Sequence, residues 1–214
     1  LDASRSDIEK LCHEAAEHRF ACVMIYPASI PLAASILKGT GTPIGTVIGF
    51  PSGRFSTEAK AAEIVEAHRQ GAHEVDVVMN SRFREGESAS VAEGIQNLSD
   101  LAHRLDLLIK VIVETCYLPG ELLVPALRLC EDAGVDFIKT STGFGSAGAK
   151  VEHIALWAKN RRTKIQIKAA GGIRNLADAR ALLAAGATRL GTSNAVAILA
   201  EACGQSPAGG TGSY

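Results

Sequence analysis

Two lysines stand at the ends of apolar runs that lead into glycines. One is Lys139 in FIKTSTGF (137–144) and the other is Lys168 in IQIKAAGGIR (165–174). An ammonium is costly to take out of water, so buried strands rarely carry one. Lysine is a nucleophile only as the neutral amine, and its ordinary pKa of about 10.4 keeps it protonated near neutral pH. Burial lowers that value, and a second nearby cation lowers it further. Two lysines at neighbouring strand ends would supply both effects: one could attack a carbonyl to form a Schiff base while the other stays charged beside it. A carboxylate, Asp76 in EVDVVMN (74–80), could carry a proton to and from the substrate carbon. This set implies aldol cleavage or condensation through an iminium and an enamine. Taken singly, each lysine reads as an ordinary charged strand end.

The elements around these residues follow one repeated pattern. Strands are expected at 20–26, 44–50, 73–80, 107–115, 136–141, 164–170 and 188–193. Helices are expected near 6–18, 30–38, 57–70, 88–104, 119–132, 150–160, 175–185 and 194–203. The junctions RQGAHEVDVV, EDAGVDFIK and LAAGATRLG each run from a helix end through a glycine (Gly71, Gly134, Gly186) into a strand. Glycine suits the left-handed position that closes a helix. Repeated units of this kind cross over right-handed and build a parallel sheet, either doubly wound or closed as a (β/α)8 barrel.

Strand polarity favours the barrel. An open sheet buries both faces and reads as continuously apolar. Here Val75, Val77 and Met79 alternate with Glu74, Asp76 and Asn80, and Ile109, Val111 and Val113 alternate with Lys110, Ile112 and Glu114. Period 2 places each set on one face, the apolar one toward the helices and the mixed one toward the barrel interior. Lys139, Lys168 and Asp76 all fall on the interior set near C-terminal strand ends, where barrels keep their catalytic groups. Lys110 and Glu114 share that face and are expected to pair. Trp157, on an outer helix, is expected to be packing. A barrel needs eight strands and the sequence shows seven. It opens on a helix, so the missing strand is the first.

The glycines bear on the ligand. AGGIRN (170–175) and GTSNA (191–195) follow the last two strands and each leads into a helix. Backbone amides at such helix starts bind phosphate, and the last two loops of a barrel are its usual phosphate site. Ser193 could add a hydroxyl.

Composition narrows the alternatives. With 214 residues, 47% of them hydrophobic, the chain can fill one core as a single domain, read as 1–203 with a Gly/Ser-rich tail at 204–214. The net charge of −1 gives no electrostatic case for nucleic acid. No apolar run reaches the roughly 20 residues of a membrane span. The five cysteines form no CxxC pair; they fit a reducing, cytoplasmic setting, most of them as small buried hydrophobes. The histidines show no metal-binding spacing, so no metal is expected.

Taken in order, IYPASIPLA, TVIGFPSG, EVDVVMN, KVIVETC, DFIKTSTGF, IKAAGGIR and ATRLGTSNAV resemble the deoxyribose-phosphate aldolase family over nearly the whole chain. KTSTGF together with KAAGGIR is the most specific part. The resemblance implies a lysine-dependent aldolase without metal or cofactor, a homodimer, splitting 2-deoxyribose 5-phosphate into acetaldehyde and glyceraldehyde 3-phosphate. By motif, Lys139 matches the Schiff-base lysine, Lys168 the second lysine that lowers its pKa, and Asp76 the carboxylate of the proton relay. The phosphate would meet backbone at Gly143, Gly171 and Gly172 and the turn at Ser193 and Asn194. In some members a C-terminal tyrosine enters the site, which gives Tyr214 a candidate catalytic role. Met24 stands where some members carry a cysteine, and a thioether cannot form the aldehyde adducts of a thiolate. The family's opening strand, with its Asp-x-Thr, has no counterpart here, and Asp2 belongs to the cap of the following helix. The expectation is a barrel whose first strand lies outside this sequence, or one open on that side. Two other readings stay open: a phosphosugar isomerase or lyase without a covalent lysine, and a non-catalytic phosphosugar-binding barrel.

Overall fold

The computed structural model describes residues 3–205; Asp2 and the segment 206–214, with Tyr214, lie outside the described residues. Among the described residues, seven parallel strands alternate with eight α-helices. The strands are β1 (Val23–Ile25), β2 (Ile44–Ile48), β3 (Glu74–Val78), β4 (Leu108–Ile112), β5 (Phe137–Lys139), β6 (Gln166–Ala170) and β7 (Arg189–Gly191). The α-helices are α1 (Arg5–Glu17), α2 (Ile30–Leu37), α3 (Thr57–Gln70), α4 (Ser88–Arg104), α5 (Leu123–Asp132), α6 (Val151–Asn160), α7 (Leu176–Ala184) and α8 (Ala195–Ala202). Every expected element forms, each strand trimmed at its ends where the chain leaves the ladder.

Strand order decides the architecture. It runs β1 to β7 without a reversal, so every crossover steps in the same direction. A doubly wound sheet reverses once, at the point where its ligand binds. Steady progression with right-handed crossovers curls the sheet into a barrel wall instead. Contacts through the interior show the curl: Arg189 on β7 reaches Glu74 on β3 at 2.8 Å and lies 3.9 Å from Cys22 Sγ, just before β1. Among the described residues no strand precedes α1, and the ladder does not link β7 to β1.

Local chemistry explains where the elements stop. Ser4 and Asp7 form a capping box at the start of α1, and Ser56 caps α3 by accepting from the Ala59 amide. Gly71, Gly134 and Gly186 have φ of +105°, +66° and +115°, the left-handed closure expected at the three recurring junctions. The odd-numbered residues Val75, Val77, Ile109 and Val111, with Ile138, Ile167 and Ala169, pack on the inner faces of the helices. Trp157 is fully buried there, its Nε1 donating to the Leu123 carbonyl at 2.9 Å. The cysteines divide differently from expectation. Cys12 and Cys130 are buried, Cys22 and Cys116 are half-buried, and Cys203 is exposed, because the last three sit at strand ends and a helix end.

Candidate active site

The interior face carries an unusual density of charge. Register aligns Asp76 with Lys110, Ile112 with Lys139, and Lys139 with Lys168. Paired residues of parallel strands share a face, so the sheet itself delivers these groups to one place. Asp76 is fully buried. Its Oδ2 accepts from Lys139 Nζ at 2.8 Å and from Lys168 Nζ at 2.7 Å. Lys110 Nζ lies 2.8 Å from Asp76 Oδ1 and 2.6 Å from Glu74 Oε2, an ion pair with angles outside good hydrogen-bond geometry. Glu74 is held in turn by Arg189, whose guanidinium stacks 4.9 Å over the Phe137 ring.

Two carboxylates therefore face four cationic side chains, and the imbalance governs the protonation of the lysines. Burial disfavours the charged form of Asp76, but the ammonium groups of Lys139, Lys168 and Lys110 outweigh it and hold the carboxyl well below its usual range. Burial lowers Lys110 too, yet its contacts with Asp76 and Glu74 reverse the sign, and it stays a firm cation. Lys168 goes the other way: burial, aided by the neighbouring charges of Lys139 and Lys110, brings its amine from 10.5 down to about 8 against the pull of Asp76.

The Lys168 shift has a consequence for stability. Between pH 8 and 10.5 the unfolded chain holds a proton on this lysine that the folded one has lost, so stability rises with pH in that window. Lys60, also brought from 10.5 to about 8 by burial, contributes with the same sign. Lys110 is raised, so the stability it contributes is present below its ordinary 10.5 and is lost only above it. Urea midpoints should therefore increase from pH 7.5 to pH 9.5, and Lys168→Met should flatten part of that slope.

The loops complete the mouth. Gly143, Gly171 and Gly172 all have positive φ, at +91°, +81° and +75°. Gly171 and Gly172 amides have no acceptor among the described residues, which leaves them available to a ligand. The start of α7 is a different matter. Asn175 accepts from the Asp178 amide, Asp178 accepts from the Arg174 amide, and Glu201 accepts from the Leu176 amide. The Arg174, Leu176 and Asp178 amides at this helix start are thus taken by side chains. Ser193 is exposed, and the neighbouring Thr192 hydroxyl accepts from the Asn194 amide at 3.0 Å. The β6–β7 ladder ends at the pair Ala170 and Gly191, so Gly171 on one side and Ser193 and Asn194 on the other lie just beyond it.

Several contacts were not readable from the sequence. Lys110 and Glu114 do not pair. Four residues along a strand separate them by roughly 13 Å, so Lys110 finds its partners on β3 and Glu114 finds its own in the loop after β5. Glu114 adopts a left-handed conformation (φ 52°, ψ 69°), which is rare for a residue with a Cβ. Its Oε2 accepts from the Thr142 amide at 3.2 Å and from the Thr142 hydroxyl, tying the end of β4 to the loop after Lys139. Gly148 packs on the Gly171 carbonyl so closely that a Cβ there would lie 2.1 Å from the oxygen. Met24 points inward, as Cys22 does, and its sulfur fills the space left by Gly45. Burial raises the Cys22 thiol, so it is a poor thiolate. At the mouth, Phe50 stands edge-on to both Tyr26 and Phe144, with centroids 5.8 and 5.4 Å apart. A cavity of about 280 Å³ opens beside this wall between Arg54, Arg84, Glu114 and Tyr117; none of Asp76, Lys139 and Lys168 lines it.

A parallel barrel wall with paired lysines on one buried carboxylate at its C-terminal end is the arrangement of a lysine-dependent aldolase. The chain belongs to the DeoC/LacD family aldolase group, whose pattern it matches over residues 1–202. It is 46% identical over 200 residues to the deoxyribose-phosphate aldolase of Carboxydothermus hydrogenoformans, spanning 92% of this chain and 88% of that protein. It is 44% identical over 198 residues to the deoxyribose-phosphate aldolase of Aciduliprofundum boonei, spanning 92% of this chain and 89% of that one. Among solved structures, the aldolase QR15 superposes with a TM-score of 0.88 at 38% identity, covering 94% of this chain and 90% of that one. The tetrameric deoxyribose phosphate aldolase of Aeropyrum pernix superposes at 0.87 with 29% identity, covering 94% and 85%.

Proposed function

We propose that the protein cleaves 2-deoxyribose 5-phosphate reversibly into acetaldehyde and glyceraldehyde 3-phosphate through a lysine Schiff base. The observation that carries this reading is the single oxygen, Asp76 Oδ2, shared by Lys139 and Lys168 inside a barrel with surplus positive charge. Such a site favours one neutral amine, which the chemistry requires.

Lys139 is the nucleophile in this reading. It is the less enclosed of the two, 6% exposed against 2% for Lys168, and so the better placed to meet a substrate entering from the mouth. Its neutral amine adds to the C1 aldehyde of the open-chain sugar, and loss of water leaves an iminium. The C3 hydroxyl gives up its proton as the C2–C3 bond breaks, releasing glyceraldehyde 3-phosphate and leaving an enamine. Protonation at C2 and addition of water release acetaldehyde and restore the amine. Asp76 and Lys168 hold and pass the protons, and a water completes the relay. A swapped assignment, with Lys168 attacking, has the lowered Lys168 amine in its favour. Reduction with borohydride in the presence of acetaldehyde separates the two: the adduct should appear on the peptide carrying Lys139.

Gly143, Gly171, Gly172, Ser193 and Asn194 are assigned to the phosphate, supported by the open amides of Gly171 and Gly172. Gly148→Ala would push its new methyl into Gly171 and displace that loop. We expect it to raise KM for the phosphorylated sugar by about tenfold, a change worth about 1.4 kcal/mol, while acetaldehyde trapping continues. Tyr214 is assigned a part in proton transfer at C2 on the family resemblance alone. On the same ground the enzyme is proposed to be a homodimer, and its unpaired cysteines support the proposal that it acts in the cytoplasm.

A further inference from the structure

We infer that Lys60 is a positioning residue for this reaction, clamping the loop that carries Phe50 against the end of the strand that carries Asp76. The inference rests on the aldolase reading above. Lys60 lies on α3, outside the barrel interior, yet is only 3% exposed. Its Nζ donates to the Gly53 carbonyl at 3.0 Å and to the Val78 carbonyl at 2.7 Å. Its stem lies along Gly49, where a Cβ would come within 2.5 Å of Lys60 Cε. One turn on, Glu63 accepts from the Gly49 amide at 2.6 Å. The two charged residues of α3 thus grip both ends of the 49–54 loop. A third contact closes the loop on β3: a Cβ on Gly53 would sit 2.2 Å from the Met79 carbonyl.

Burying an ammonium without a carboxylate on it is expensive, and the lowered Lys60 amine reflects that. Simple packing would be served better by leucine or methionine. What the amine does instead is donate to two carbonyls, one on the loop and one two residues beyond Asp76. Between the clamped ends lies Phe50, the centre of the Tyr26–Phe50–Phe144 wall over the mouth. Lys60 touches neither the lysines nor Asp76; it acts through the loop.

The test uses the whole chain, with Lys60→Met, Phe50→Ala and the double variant. Without substrate, hydrogen exchange at the Gly49 and Gly53 amides should accelerate at least tenfold in Lys60→Met, while β5 and β6 keep their protection. In cleavage assays Lys60→Met should raise KM for 2-deoxyribose 5-phosphate about tenfold and leave kcat within about threefold. Phe50→Ala should do the same, and the double variant should be no worse than the larger single effect within about twofold. Unchanged exchange, or loss of protection across the barrel, would overturn the clamp. So would an unaltered KM with kcat falling in step with unfolded protein, or effects that multiply. If the wild type folds but cleaves nothing, the aldolase reading fails, and the exchange measurement still decides on the clamp. Should Lys60→Met not fold, Glu63→Ala cuts the other end of the same loop and is expected to raise exchange at Gly49 and KM in the same direction.

Discussion

Lys139→Met is expected to give a folded protein that cleaves 2-deoxyribose 5-phosphate at least about 10⁴-fold more slowly, because in the proposed mechanism the Lys139 amine forms the covalent intermediate. The fold should survive. Methionine fills similar space, and Asp76 keeps Lys110 and Lys168 as partners after one ammonium is removed. Relieving a surplus cation makes the stability change small, within about 1 kcal/mol in either direction. Single-turnover cleavage, borohydride trapping and a urea melt on the same preparation check all three statements. Turnover reduced only modestly, with weaker sugar binding, would move the protein to the isomerase or lyase reading. Ligand binding without any carbon–carbon cleavage in the wild type would move it to the binding-protein reading. An adduct mapped to Lys168 would exchange the two lysine roles and leave the reaction intact.

Asp76→Asn should be damaging in a different way, losing both activity and stability. Its carboxylate is a counter-charge for three buried lysines, and an amide leaves Lys139 and Lys168 without one while Lys110 keeps Glu74. Removing one member of a buried ion pair typically costs about 3–5 kcal/mol. The lower end is expected here, because the Lys168 amine, already near 8, can shed its proton. Activity should fall about 10²–10⁴-fold through loss of the proton carrier. The pH dependence gives an independent readout. Asp76 and Glu74 are both lowered in the folded state, so the stability they contribute is present above their ordinary values of 3.8 and 4.5 and is lost as pH falls through the folded ones. Acid unfolding of the wild type should therefore show a steep limb that Asp76→Asn flattens. An unchanged acid limb would mean that Asp76 is not the charge on which the interior depends.

Alternation along single strands was enough to assign faces. Asp76, Lys110, Lys139 and Lys168 were placed inside from period 2 alone, and register puts them on one face. The glycine closures at Gly71, Gly134 and Gly186 were equally legible, since only a left-handed residue lets a helix end and a strand begin within so few positions. These properties are local: they depend on neighbours in sequence and on backbone geometry.

What the sequence could not yield were the partners. Parity put Lys110 and Glu114 on one face, but distance along the strand kept them apart. Pairing of β3 with β4 set Lys110 beside Glu74, and the curl of the sheet brought Arg189 across the interior to meet them. Nor could it show that the Leu176 amide at the start of α7 was already occupied, since Glu201 comes from the next helix. Lys60 on α3 looked like any helical lysine until the loop from Gly49 to Gly53 folded over it. The sequence by itself determined which residues exist to do chemistry and which way each strand turns them. The tertiary structure decided which charges meet, and therefore which amine can lose its proton, because pairing and desolvation depend on distances that only the curled wall of strands sets.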